Sequence, residues 1–315
     1  MKEKNKKTGL IMVIIATLFW GYMGISSRFL NIINLRAQDI SFARAFTAAV
    51  LFSVLMLFTN KSAFKISFKG LIFCVLYGII AIAFSFTLYS TAVERIPISV
   101  ATILMFSNPV WVSIFERIFF KEKIGLKKAL VLCFCILGCT CIIDIFSSGG
   151  SNLDLIGVVA GLLSGVSFAL QIVLPKFVDG KIEDNTLLLY GFWSAAICLF
   201  FFAKPSLVID NLLNSYNPGF YFIQLLSIGV LSTFIANSCY IMSAKYIGTQ
   251  LPSMLCSLEP IFASAFAYVV FGEKMKPIQF LGAIIVILSI VALQINKETL
   301  KNLLHRKDTN IVQGC

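Results

Sequence analysis

The sequence predicts an all-α polytopic membrane protein, ten transmembrane helices arranged as two inverted five-helix repeats. Charged residues are only 13% of the 315, hydrophobic residues are 58%, and mean hydropathy is +0.90. A soluble domain carries about 25% charged residues, so this chain cannot cover itself with a wetted surface. Apolar runs of about 20 residues recur along its whole length, as spanning a hydrocarbon core about 30 Å thick requires. The runs are continuous rather than alternating, which excludes an outer-membrane barrel. A third observation, self-similarity at an offset of 151 residues, predicts the repeat.

The first span, 9–27, follows a basic start containing Lys2, Lys4, Lys6 and Lys7. That layout suits a signal peptide, but no A-x-A-like site follows and the run continues to Arg28, so it reads as an uncleaved first helix. Further spans fall at 38–58, 70–90, 97–119, 126–146, 154–174, 186–203, 219–243, 250–271 and 277–295. The connections are short and polar. Asn60 and Lys61 mark the second, Pro97 opens the fourth span, and Lys121 to Lys123 closes it. Gly149 and Gly150 precede the sixth span, Lys204 and Pro205 end the seventh, and Gly272 to Pro277 separates the last two. None is long enough for a soluble domain.

Counting Lys and Arg on alternate sides gives orientation. Nineteen fall on the side of the N-terminus, including Lys61, Lys65, Arg117, Lys128, Lys176 and Lys245. Six fall opposite: Arg28, Arg36, Arg95, Lys204, Lys274 and Lys276. Both termini are therefore expected in the cytoplasm, with Arg44 left inside a span. The net charge of +11 sits in these short loops and tails, a membrane pattern and not a nucleic-acid one.

At the 151-residue offset Gly78 meets Gly229, Tyr89 meets Tyr240, Pro109 meets Pro260, and Ser113 meets Ser264. "FFKEK" (119–123) meets "VFGEK" (270–274). Apolar composition alone would not readily place Pro, Tyr and Glu-Lys in one ungapped frame. The expected division is 1–146, 147–296 and a cytoplasmic tail, 297–315. Five spans per half force the second half to enter from the opposite face. Inverted repeats characterise alternating-access carriers, which bind substrate near the bilayer midplane.

The paired "NPVWVSIFERIFFKEK" (108–123) and "EPIFASAFAYVVFGEK" (259–274), with "ATLFWG" (16–21) and "SFARAFTAAVLF" (41–52), carry a resemblance. Over about residues 9 to 295 the chain resembles the EamA group of the drug/metabolite transporter superfamily. The resemblance implies a secondary transporter of the bacterial plasma membrane, often an exporter of amino acids, related metabolites or drugs, with a cavity lined by both halves.

Glu259 lies at mid-span and is followed by proline. An ionised acid at a helix centre costs about 2.5–3.5 kcal/mol on insertion scales, so Glu259 must face a polar cavity, find a partner or be protonated. Its counterpart at the offset is Asn108, also followed by proline. Pro109 and Pro260 lack an N–H and obstruct the carbonyls of Met105 and Cys256. Asn108 and Glu259 are thus candidate substrate-binding points at two broken helices; the plainer reading is satisfaction by neighbouring helices. Arg44 could meet a substrate carboxylate, pair with Glu259, or extend its stem to the outer interface. Trp20, Tyr89, Trp111 and Tyr240 are candidate wall residues. Protons are the candidate coupling ion, through Glu259.

Other features read as structure. Gly157, Gly161 and Gly165 allow close helix approach. Glu122–Lys123 and Glu273–Lys274 fall on opposite faces, as gates or as a solvated rim. Cys133, Cys135, Cys139 and Cys141 crowd one span but no His or Met cluster joins them, so they read as small hydrophobes. The single histidine, His305, is in the tail. No metal or cofactor is expected. A membrane-embedded lipid-modifying enzyme is the alternative, weakened by the lack of membrane histidines; a channel or sensing module is a second.

Overall fold

The computed structural model describes residues 3–96, 98–142, 154–272, 274 and 276–294. The expected tail with His305, and Glu273, lie outside the described residues. Among those described, every regular element is a helix. α1 (Glu3–Ile32) and α2 (Ala37–Thr59) precede α3 (Phe68–Tyr77), which passes through a π-helical stretch, Gly78–Ala83, into α4 (Phe84–Arg95). α5 (Ile98–Met105), α6 (Asn108–Phe120) and α7 (Leu126–Ile142) follow. Next come α8 (Leu155–Val173), α9 (Asp184–Phe200) and α10 (Pro205–Leu213). α11 (Pro218–Ser227) passes through a second π-helical stretch, Ile228–Ile235, into α12 (Ala236–Ile247). α13 (Gln250–Leu255), α14 (Glu259–Phe271) and α15 (Pro277–Gln294) complete the order.

Seven helical stretches among the described residues are long and apolar enough to cross a membrane, and they overlap seven of the expected spans. The expected span at 186–203 is the first arm of a pair, α9 and α10, bent by 86° at Lys204 and Pro205. Those expected at 126–146 and 277–295 correspond to the shorter apolar α7 and α15, which pack together. Large apolar side chains such as Phe58, Phe68 and Leu126 point outward; in hydrocarbon such exposure is the favourable arrangement.

Elements recur at the 151-residue offset. The π stretches begin at Gly78 and Ile228, one residue short of that offset, and the breaks before α6 and α14 end at Asn108 and Glu259, in register with it. Lys121 and Gly272 each cap their helix in the left-handed region, at φ 56° and 69°. Packing recurs too. α1 lies against α12 and α14, as α8 lies against α4 and α6. α2 meets the second π stretch, as α9 meets the first.

A π stretch breaks the regular hydrogen-bond ladder, and a carbonyl left open in hydrocarbon needs an internal donor. Trp20 Nε1 donates to the Ser232 carbonyl at 2.9 Å, and Gln171 Nε2 donates to the Ala81 carbonyl at 2.9 Å. Both donor and acceptor shift by 151. Close approach does the rest. A Cβ on Gly165 would lie 2.8 Å from the Leu104 carbonyl oxygen and 3.1 Å from that of Met105, so α8 seats directly on the end of α5.

Two ends can be told apart. At the lysine-rich end, Lys245 reaches Asp184 at 3.0 Å and Lys176 reaches Glu122 at 3.3 Å. At the other end, Arg36 pairs with buried Asp39 at 2.7 Å, and Asp39 also accepts from the Lys204 amide at 2.8 Å. At the lysine-rich end Glu122 is exposed, an ordinary rim charge.

Replacing Gln171 with Met keeps the volume and strands the Ala81 carbonyl, an expected loss of about 1–3 kcal/mol. A lowered Tm of the detergent-solubilised protein would register it. Gly165→Val is expected to destabilise by a similar amount or more through backbone overlap.

Candidate functional site

The two helix breaks have a shared local cause. Proline cannot donate to the preceding turn, so α5 ends at Met105 before Pro109 and α13 ends at Leu255 before Pro260. α14 thereby starts at Glu259, with its N-terminal turn against a cavity of about 610 Å³. Trp20, Arg44, Tyr89, Glu259 and Pro260 all line that cavity. It extends to Arg28, Asn31 and Lys274 at the end opposite the lysine-rich one.

Arg44 is 9% exposed and turned inward, so the interface-seeking reading of its stem does not hold. Its Nε donates to the Thr233 hydroxyl at 3.0 Å, its Nη1 approaches the Met23 sulfur at 2.9 Å, and its guanidinium lies 3.9 Å from the Phe86 ring centroid. These are neutral partners. Arg44 forms no ion pair among the described residues, with Glu259 or any other carboxylate. Glu259 is half-buried. A cation and an acid therefore share one cavity without bridging it.

Tyr89 shares a hydrogen bond with Thr102 at 3.0 Å on one wall. Trp20 forms the floor, its ring 5.1 Å from Tyr240 and 5.5 Å from Phe168 in edge contacts. The glycine-rich face of α8 carries Phe168.

Asn108, Pro109, Trp111 and Tyr240 are not part of this lining. Asn108 is fully buried with both amide atoms unpartnered. It is the offset partner of Glu259, yet it sits on α6, which packs on α8 and α13 rather than facing the cavity. Trp111 turns its Nε1 back to the Ser107 hydroxyl at 3.1 Å. Tyr240 is buried beneath Trp20.

Sequence reasoning missed Glu116. It is 2% exposed and held by Lys128 at 3.1 Å, Lys176 at 3.2 Å and the Thr249 hydroxyl. Beside it, Gln250 donates to the Pro109 carbonyl at 3.1 Å and accepts from Ser113 at 2.8 Å. Glu116 reads in the sequence as one more charge near a span end, next to Arg117. No cluster of three His, Cys, Asp or Glu that could hold a metal occurs among the described residues.

A sequence model of the EamA-like transporter family matches residues 7–144 and again 155–294. The chain belongs to that family. A Clostridium kluyveri protein described as an uncharacterized transporter is 24% identical, over 93% of this chain and 95% of its own length. The Pseudomonas aeruginosa pseudopaline exporter CntI is 22% identical, over 93% of this chain and 98% of its own. A solved crystal structure agrees with a TM-score of 0.75, covering 91% of this chain and 96% of that one; at 11% identity this likeness concerns the fold alone. This EamA-like chain is thus a multi-pass membrane protein whose relatives are named as transporters.

Carbodiimide treatment of the folded protein followed by peptide mass spectrometry is expected to modify Glu259 and spare Glu116. The first faces the cavity and the second is sealed by its partners. Equal labelling of the two would contradict the described burial.

Proposed function

We propose that the protein is a secondary transporter that carries a small organic solute across the plasma membrane by alternating access. The observation that carries the reading is the pair Arg44 and Glu259, a base and an acid facing one cavity and not joined by an ion pair. Intramembrane ionisable groups mark substrate or ion paths. The volume, about 610 Å³, lies in the range of small-molecule sites. Arg44 meets a carboxylate of the solute through its planar fork. Glu259 takes an amine of the solute or a coupling proton, with Trp20 as the floor and Tyr89 on one wall.

The chain crosses the membrane ten times, as halves 1–146 and 147–296 of opposite orientation. The two family matches and the recurrence of π stretches, breaks and caps support this division. Both termini lie in the cytoplasm, in keeping with the nineteen-to-six charge bias. The described conformation is then open to the outside. Transport is efflux of an amino acid, a related metabolite or a drug, a direction supported by the relative named as a pseudopaline exporter.

Counterflow in proteoliposomes with a pooled amino-acid and metabolite library tests the reading. The wild type is expected to accumulate one compound. Arg44→Gln should weaken its half-saturation by about ten-fold or more, the loss of a charge-assisted hydrogen bond. Glu259→Gln should lose dependence on a proton gradient; full dependence retained by that variant would refute proton coupling through Glu259. Silence of the folded wild type across the library and across lipid compositions would count against transport.

A further inference from the structure

We infer that Glu116 is the latch of the closed side: its ion pairs at the lysine-rich end hold shut a second cavity, the counterpart of the open one. This inference rests on the transport reading above. Applied to the open cavity, the 151-residue offset pairs Glu259, Pro260, Ser264 and Ala267 of α14 with Asn108, Pro109, Ser113 and Glu116 of α6. The four α14 residues line open space. The four α6 residues are buried.

The burial of α6 is held by polar contacts rather than by apolar filling alone. Glu116 joins α6 to α7 through Lys128, to the segment after α8 through Lys176, and to the start of α13 through Thr249. One carboxylate thus ties together three elements that meet at the lysine-rich end. At the equivalent place on α14 stands Ala267, which can make no such bond and lines the open cavity. Deeper along α6, both polar atoms of the Asn108 amide have no partner. A buried polar group without a partner is disfavoured, and hydration would satisfy it. Release of Glu116 supplies that hydration. The closed side is therefore poised, with uncompensated polar groups behind a latch of ion pairs, and Glu116 positions α6 without touching the solute.

Hydrogen–deuterium exchange on the full-length protein in lipid nanodiscs tests the latch without needing a known solute. Glu116→Gln keeps the side-chain shape and removes both ion pairs. Exchange in peptides covering 108–116 is expected to rise by about ten-fold or more, while exchange across 259–267 falls as the open side closes. Lys128→Met, which leaves Glu116 and Lys176 in place, should move both in the same directions by a smaller factor, and it stands in if Glu116→Gln does not fold. Unchanged exchange at 108–116 in the folded variants, or a rise on both sides together, would overturn the latch; the second pattern is general loosening. Wild-type counterflow is run alongside. Counterflow with no exchange shift removes the latch and leaves transport standing, whereas an exchange shift in a protein that moves no solute leaves the latch and removes transport.

Discussion

No water is available in the hydrocarbon core to satisfy a backbone group, so every departure from an α-helix must be repaired from inside the protein. Among the described residues, four departures lie within long apolar stretches: the two π stretches and the breaks before Asn108 and Glu259. Three of these four departures are covered by a neighbour. Trp20 and Gln171 supply N–H donors to the two π stretches, and α8 lays a glycine face over the end of α5. The break at Glu259 opens instead on the cavity, where an exposed N-terminal turn and ionisable side chains can be tolerated. The location of the site follows from where the helices could be broken safely.

The two halves share a backbone plan and differ in a few side chains that decide what each can do. Arg44 corresponds to Ala195 and Glu259 to Asn108, so the ionisable pair belongs to the open side alone. Glu116 corresponds to Ala267, so the ionic tie belongs to the closed side alone. Trp20 corresponds to Gln171, and there the function survives the change of side chain, because both offer an N–H at the same place.

Much of this was legible in the sequence, for identifiable reasons. Hydropathy marked the helices because lipid leaves little room for another arrangement. The prolines marked both breaks, since losing an N–H has the same effect in any environment. Trp20, Arg44, Tyr89 and Glu259 were singled out as polar or amphipathic groups within apolar spans, and all four line one cavity. Asn108 and Tyr240 were singled out by the same logic and are buried beside it, because symmetry in sequence does not say which side is open. The π stretches left no mark: "GIIAIA" (78–83) contains no proline or charge, and only the arrangement of neighbours makes it unwind. Glu116 was invisible for the opposite reason. Its type and position are ordinary, and its importance comes from two cations and one hydroxyl delivered by other segments.

The contact at Gly165 reaches further than local packing. Because α8 is seated on the carbonyls of Leu104 and Met105, it is fastened to helices of the first half, while α1 is fastened to α12 and α14 of the second. The mechanical bodies of the molecule are therefore interlocked, each borrowing its first helix from the other stretch of chain. Severing the polypeptide between α7 and α8 would yield two fragments, neither holding a complete wall. Each would have to find the other before either could bury its own broken backbone.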